Sequence, residues 1–208
     1  CVRACPEEGV LELIHGQAIV VHGARCVGHG LCAKECPTGG VVVRIGDLEE
    51  RRDIPALTER LESTQTEGLY LAGEVTGFAL VNTAIEHGRD VARHVAARVK
   101  ERGTVAARLD LLIVGAGPAG IACSLEAKTQ GLRFCMVDQD QVGGTVAHYP
   151  RQKMVLTQPV ELPRYGKLAS SEYQKEELME IWRELVTRED LPLETGRTFE
   201  TVERQTDG

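Results

Sequence analysis

Leu111-Leu112-Ile113-Val114-Gly115-Ala116-Gly117-Pro118-Ala119-Gly120 is the stretch on which the reading of this chain turns. Leu109–Val114 is a short apolar run of the length of a buried strand, followed at once by glycines in the pattern G-x-G-x-x-G. Gly115 permits a tight turn, Gly117 leaves the backbone open to close approach, and Gly120 lets the following helix pack against the sheet. Pro118 and Ala119 open that helix, whose first N–H groups face any phosphate lying on the loop. Gly131 closes the helix and Phe134–Val137 reads as the next strand, so the segment is a β-α-β unit of α/β, Rossmann-like type. Asp138 lies 23 residues after Gly115, at the end of the second strand, where an acid can bond the ribose hydroxyls of a dinucleotide. An acid there disfavours a 2′-phosphate.

Upstream the chain is organised differently. Tyr70 is the first aromatic residue, yet five of the seven cysteines (Cys1, Cys5, Cys26, Cys32 and Cys36) precede it. Such a stretch needs an organiser other than a hydrophobic core, a metal or disulfide scaffold. It also contains a repeat. Cys1-Val-Arg-Ala-Cys5-Pro6-Glu-Glu-Gly9-Val10 aligns with Cys32-Ala-Lys-Glu-Cys36-Pro37-Thr-Gly-Gly40-Val41 at an offset of 31. After each Cys-Pro a glycine introduces a β-branched run, Val10–Ile14 and Val41–Ile45, and Ala18–Val21 returns after a His-Gly turn as a hairpin.

The second copy reads Cys26-x2-His29-x2-Cys32-x3-Cys36-Pro37. The run C-x2-C-x2-C-x3-C-P holds an iron–sulfur cluster, three close thiolates wrapping one cubane while the fourth reaches the other cluster of a two-cluster fold. Four of its five positions match here, with His29 at the second. Residues 1–46 thus resemble a bacterial two-cluster ferredoxin-type (4Fe-4S) domain, a small α+β fold truncated at its N-terminal side. The resemblance implies that Cys5, Cys26 and Cys32 hold one cluster, and that Cys1 and Cys36 hold the other with residues outside the sequence. A disulfide scaffold requires an oxidising compartment, which sits badly beside a dinucleotide domain. A four-ligand zinc site gives no reason for two Cys-Pro repeats. For His29 two readings stand: an imidazole ligand that raises the potential, or a side chain turned away from a 3Fe-4S or open-iron cluster.

Composition narrows the function classes. The 208 residues are 42% hydrophobic, enough for one large domain or two small ones. The net charge of −7 argues against nucleic acid, whose phosphates need basic partners. No apolar run reaches the roughly 18 residues of a membrane span. The chain begins at Cys1 without an initiator Met and reads as an internal piece of a longer protein, expected in the cytoplasm.

Spacing alone does not separate FAD from NAD. Gly115–Ala147, with Gly143-Gly144-Thr145, resembles the amino-terminal FAD-binding segment of thioredoxin-reductase-like and pyridine-nucleotide-disulfide flavoproteins. Val142–Pro150 through Val160–Pro163 is similar to a thioredoxin-reductase-like subgroup fused behind a ferredoxin domain, an order also similar to the small subunit of glutamate synthase. This resemblance implies Gly144 and Thr145 as further FAD contacts. Thr66-Glu-Gly-Leu-Tyr-Leu-Ala-Gly73-Glu74-Val75 is similar to the carboxy-terminal flavin signature of these enzymes, in which a strand ends at Gly-Asp and the next helix points at the flavin. Glu74 replaces the Asp, and the segment precedes the glycine loop instead of following it. It either completes the same flavin site in permuted order or merely packs. His148 either approaches the flavin ring or is an exposed loop residue. Disulfide reductases of this kind carry paired redox cysteines. Thr145–Pro150 has none, and Cys123 and Cys135 read as small core residues on an apolar helix and strand.

Three regions follow: residues 1–46, the iron–sulfur domain; residues 47–106, a charge-rich linker (Asp47–Asp53), a short strand (Leu69–Ala72) and a helix (Ala79–Val99); and residues 107–208, the FAD/NAD(P)-binding domain, truncated at its C-terminal side. In the last, Ser171–Val186 places Leu178, Ile181, Trp182 and Leu185 on one helical face. The expected function is an oxidoreductase passing electrons between NAD(P)H, FAD and iron–sulfur clusters, with NAD(P)H bound beyond residue 208. The cofactors carry the chemistry, and no residue here need act as general acid or base. The alternative is a non-catalytic redox sensor or carrier module.

Overall fold

The computed structural model describes residues 2–5, 9–22, 26, 30–43, 54–78, 80–103, 109–156, 158–170 and 172–203. The chain forms two compact units, Cys1–Ile54 and Pro55–Gly208.

In the first unit, strands β1 (Leu11–Ile14) and β2 (Gln17–Val20) make an antiparallel hairpin with Ile14 opposite Gln17. Its two-residue loop, His15-Gly16, has φ of 50° and 81°. Positive φ at both positions gives the turn whose twist matches that of a hairpin. A 3-10 turn (Val2–Ala4) and the one-turn helix α1 (Leu31–Lys34) lie together. Val41–Val43 forms no strand, and the remainder of the expected Val41–Ile45 run lies outside the described residues. Among the described residues of this unit only Val10 and Leu11 are buried apolar side chains, whereas Leu13, Ile19 and Val20 are exposed. Two such side chains supply about 3–6 kcal/mol. Ordering costs roughly 1–2 kcal/mol of backbone entropy per residue, more than the buried apolar side chains among the described residues of this unit supply.

The second unit runs α2 (Val81–Arg102), β3 (Leu111–Val114), α3 (Pro118–Thr129), β4 (Phe134–Asp138), β5 (Met154–Leu156), β6 (Val160–Leu162), β7 (Gly166–Leu168), β8 (Glu172–Gln174), α4 (Lys175–Arg188) and β9 (Leu193–Thr195). Strands β3, β4 and β9 form a parallel sheet in that order, with Leu111 beside Phe134 and Met136 beside Leu193. Parallel neighbours need a crossover, and the chain supplies α3 for the first step and α4 within the second. β5 pairs with β8 and β6 with β7, both antiparallel.

Helix α3 is buried from Gly120 through Ala127 because it lies between α2 and the sheet. Helix α2 turns one stripe inward: Val81, Ala84, Ile85, Gly88, Val91, Ala92, Val95 and Ala96. At Gly88 the two helices touch through backbone, since a Cβ there would stand 2.0 Å from the Ala119 carbonyl oxygen. Arg93 Nε pairs with the buried Glu126 at 2.9 Å across the same contact. On α4, Leu178, Trp182 and Leu185 are fully buried and Ile181 partly so, the face expected from their spacing. That helix starts at Lys175, later than the pattern suggests, because Glu172–Gln174 pairs with β5 and a Gln174–Glu177 capping box opens the helix.

Leu69–Ala72, expected as a strand, contributes only an isolated bridge between Glu62 and Tyr70. Its partner segment turns at Leu61 (φ 62°), so no ladder continues. The residues just before Leu69 are tied to α2 by charge: Arg98 bonds Glu62 at 2.6 Å and also Glu67, and Arg102 bonds Glu67 at 2.6 Å, while Arg98 also donates to the Tyr70 hydroxyl at 3.4 Å. No helix among the described residues is long and apolar enough to cross a membrane.

Candidate functional site

The glycine loop leaves β3 at Gly115 (φ 103°), whose N–H bonds the Val137 carbonyl at 2.8 Å and so anchors the turn to β4. Gly117 caps α3 and Pro118 opens it. A Cβ on Gly120 would lie 1.9 Å from the Gly115 carbonyl oxygen. No residue but glycine lets the first helical turn press on the loop this closely. Gly117 is the opposite case. A Cβ there would meet only the Gly144 Cα, at 3.9 Å, so its missing side chain leaves open space.

Asp138, at the end of β4 and 8% exposed, does more than the ribose contact expected of it. Its Oδ2 accepts the Ala116 N–H at 2.6 Å and its Oδ1 the Asp140 N–H at 2.7 Å. A carboxylate has about four acceptor positions, so room for a ligand hydroxyl remains.

The Gly143-Gly144-Thr145 turn closes over this loop. Gly143 N–H bonds the Ala116 carbonyl at 2.8 Å, and the residues Gly144–His148 form a 3-10 turn. Added Cβ atoms would meet Met179 Sδ of α4 at 2.4 Å from Gly143 and the Gly117 Cα at 3.0 Å from Gly144. The turn is thus held between α4 behind and the glycine loop in front. Lys175 Nζ bonds the Tyr149 carbonyl, and the Lys153 ammonium lies 4.0 Å from the centre of the Tyr149 ring. Burial, then the nearby Glu74 carboxylate, push the Tyr149 phenol above its ordinary pKa.

Gly73 and Glu74 come to the same place from the other side. Gly73 (φ 81°) would carry a Cβ 3.2 Å from that of Ala119 and 3.6 Å from that of Ala84. The cleft so formed, of about 250 Å³, is lined by Gly73, Glu74, Gly115, Gly117 to Gly120, Asp138, Gly144, Thr145 and Tyr149. A second cavity of about 490 Å³ shares Gly115, Asp138, Gly144 and Thr145 with it and continues past Gln139, Arg197 and Phe199. Asp138 stands where the two meet. The structure therefore brings Gly115, Gly117, Pro118, Ala119, Gly120, Asp138, Gly144, Thr145 and Glu74 around one groove, although Glu74 is far from the rest in sequence.

His148 lies outside the Glu74 cleft. It is exposed on the rim of the second cavity with its Nε2 3.1 Å from Asp140 Oδ2. Cys123 is buried in α3 with its thiol pushed up to about 12, chiefly by burial, and Cys135 is part-buried on β4. Cys123 is thus not poised as a thiolate nucleophile.

In the first unit, Cys32 sits on α1, Cys36 follows it, and Cys26 is exposed. Cys5 N–H bonds the Val2 carbonyl at 3.2 Å. Cys36 Sγ lies 3.5 Å from Thr38 Oγ1, and this contact, helped by backbone N–H groups, lowers its thiol to about 7. Cys1 and His29 lie outside the described residues. Among the described residues no three His, Cys, Asp or Glu side chains converge as metal ligands, so Cys5, Cys26, Cys32 and Cys36 are not brought together as one set.

Residues 112–208 match the pyridine nucleotide-disulphide oxidoreductase family. Over that segment the chain is similar to FAD/NAD(P)-binding oxidoreductases. A solved structure of the bacillithiol disulfide reductase from Staphylococcus aureus is similar at 18% identity and a TM-score of 0.42, over 46% of this chain and 30% of that one. The chain thus spans under a third of that reductase. No curated protein matches the chain.

Sequence reasoning did not single out Met179, Lys175 or His87, which support the groove from behind. Met179 and Lys175 belong to a helix legible only as an amphipathic stripe, and nothing in that stripe signals what its flank touches.

Proposed function

We propose that the protein is an FAD- and NAD(P)H-dependent oxidoreductase whose residues 1–46 form a ferredoxin-type iron–sulfur domain. The observation that carries the FAD reading is the groove itself: a glycine loop open at Gly117, an acid at the end of the second strand, and a second glycine turn facing both. The residues fit the group. A backbone with no Cβ at Gly117 admits a pyrophosphate, the first turn of α3 directs N–H groups toward it, and Asp138 retains acceptor positions for ribose. Glu74, Thr145 and Tyr149 line the same cleft and would give the cofactor further contacts. When bound, FAD supplies hydride acceptance from NAD(P)H and the release of electrons to a second acceptor. The chain contributes binding, orientation and exclusion of water. Residues 55–203 offer no paired thiols, since Cys123 is buried and neutral, so electron delivery to a dithiol within this unit is not part of the reading.

The iron–sulfur reading rests on the cysteine spacing, supported by the small apolar burial among the described residues of the first unit, where only Val10 and Leu11 are buried.

The test is cofactor content. Purified protein, as isolated or after incubation with FAD, should retain a yellow cofactor that is released as FAD on denaturation. Protein that binds no flavin under either condition overturns the reading and leaves the groove as an NAD site or a structural turn.

A further inference from the structure

The wall of the cleft near Glu74 is backed by a residue that does not itself line it. His87, on α2, is half-buried, and its Nδ1 accepts the Gly73 N–H at 3.4 Å. Its ring meets that of Phe78 edge-on, with centroids 6.1 Å apart at 89°. Gly73, Glu74 and Phe78 all line the cleft, so His87 touches both ends of the turn that presents Glu74. Gly73 is buried, with φ 81° and ψ −147°, a conformation that glycine alone adopts without strain.

We infer that neutral His87 is a positioning residue of the cleft, holding the Gly73–Phe78 turn in its binding form and releasing it on protonation. The inference rests on the FAD reading above. An imidazole nitrogen that accepts a hydrogen bond carries no proton, so the proton of neutral His87 sits on Nε2. Protonation makes Nδ1 a donor as well. Two donors then face each other, and the buried Gly73 N–H loses its acceptor. Thr76 Oγ1 still bonds the Gly73 carbonyl at 2.7 Å, so the turn loosens at its N–H side only.

The charged surroundings are few. Burial holds His87 below the ordinary imidazole range, and Glu86 and Asp90 on its own helix pull the other way. Asp90 is itself paired with Arg89 at 3.1 Å. On the elements packed against α2, α3 presents Cys123 near Gly88, a thiol kept neutral by burial, and Glu126, a buried carboxylate paired with Arg93 at 2.9 Å. The turn itself carries Glu74, and β6 carries the exposed Glu161.

The experiment measures FAD affinity by flavin fluorescence from about pH 8 to about pH 4, a range carried below the ordinary imidazole value because burial lowers that of His87. His87→Asn places a neutral oxygen acceptor near the Nδ1 position and cannot titrate, while His87→Leu removes the acceptor. Wild type should bind FAD roughly three- to tenfold more weakly at the acid end, the factor of one lost hydrogen bond. His87→Asn should keep its affinity across the range, and His87→Leu should be weak throughout. If wild type and His87→Asn follow the same pH curve, the inference is overturned, and this comparison stands even if His87→Leu fails to fold. His87→Leu folding normally and binding as tightly as wild type at about pH 8 also overturns it. Wild type that binds no FAD at any pH overturns the underlying cofactor reading instead, and the inference with it.

Discussion

Asp138 accepts the Ala116 N–H at 2.6 Å, so the acid at the end of the second strand holds the glycine loop in shape as well as facing the groove. Its other oxygen takes the Asp140 N–H at 2.7 Å and fixes the start of the following turn. Asp138→Ala therefore leaves the Ala116 N–H buried without an acceptor. The expected outcome is a loss of about 1–3 kcal/mol in folding stability together with weaker FAD retention. Denaturant unfolding followed at Trp182, the single tryptophan, and flavin titration check the two parts separately. A variant unchanged in both would make the carboxylate a bystander.

Gly117 and Gly120 separate binding from folding. A Cβ on Gly117 meets nothing closer than 3.9 Å, and its φ of −79° suits any residue. Gly117→Val should fold with near-normal stability and bind no flavin, because the branched side chain fills the space left for the pyrophosphate. Gly120→Ala should lose several kcal/mol, of order 2–4, since its Cβ would overlap the Gly115 carbonyl oxygen. Circular dichroism and flavin absorbance on the two variants check the contrast. Retention of flavin by folded Gly117→Val would remove the phosphate from this loop.

The β-α-β unit was legible because each local signal agreed with the others: the apolar run Leu111–Val114, the three glycines, Gly131 and Asp138 all specify one geometry. The face of α4 was legible for the same reason, its period being strict from Leu178 to Leu185. The tie between Gly73 and the glycine loop was not readable from spacing. It depends on Gly88 letting α2 and α3 meet at backbone distance, and a lone glycine within a helical pattern does not say what it touches. Nor did sequence show that Glu62 and Glu67, just before Leu69–Ala72, would be anchored by Arg98 and Arg102, because the pairing depends on a helix turn far along the chain. In the first unit spacing alone nominates ligands, and the described residues there do not converge into a metal site.

Asp110 and Arg133 join the starts of β3 and β4, with Arg133 donating to the two carboxylate oxygens at 2.7 and 3.1 Å and its backbone N–H adding a third bond at 2.9 Å. The guanidinium and these hydrogen bonds hold the Asp110 carboxyl below its ordinary range. A carboxyl depressed on folding adds stability that is fully present above its unfolded value, near about pH 4, and that is lost as pH falls through the folded value. Wild type should therefore exceed Asp110→Asn in stability at neutral pH, with the gap closing below about pH 4. Urea unfolding of both proteins between about pH 7 and pH 3 checks this. A gap independent of pH would mean that the loss reflects geometry and not charge.

Cys5, Cys26 and Cys32 carry the remaining expectation. Anaerobically purified protein should contain iron and acid-labile sulfide, and serine at any of the three positions should reduce both. Flavin binding should survive these changes, because the second unit has its own core around Ile85, Ile121, Met136 and Trp182. Stoichiometric zinc without sulfide would replace the cluster with a zinc site. Position 29 then distinguishes the two readings of the histidine. If imidazole binds iron, His29→Cys should lower the cluster potential, since thiolate donates more charge than imidazole. If the native centre has three irons, the same change should add a fourth, read by metal analysis and by the electron paramagnetic resonance of the oxidised protein. An unchanged potential with an unchanged iron count would place residue 29 outside the ligand set and leave Cys26 and Cys32 to hold the cluster with Cys5.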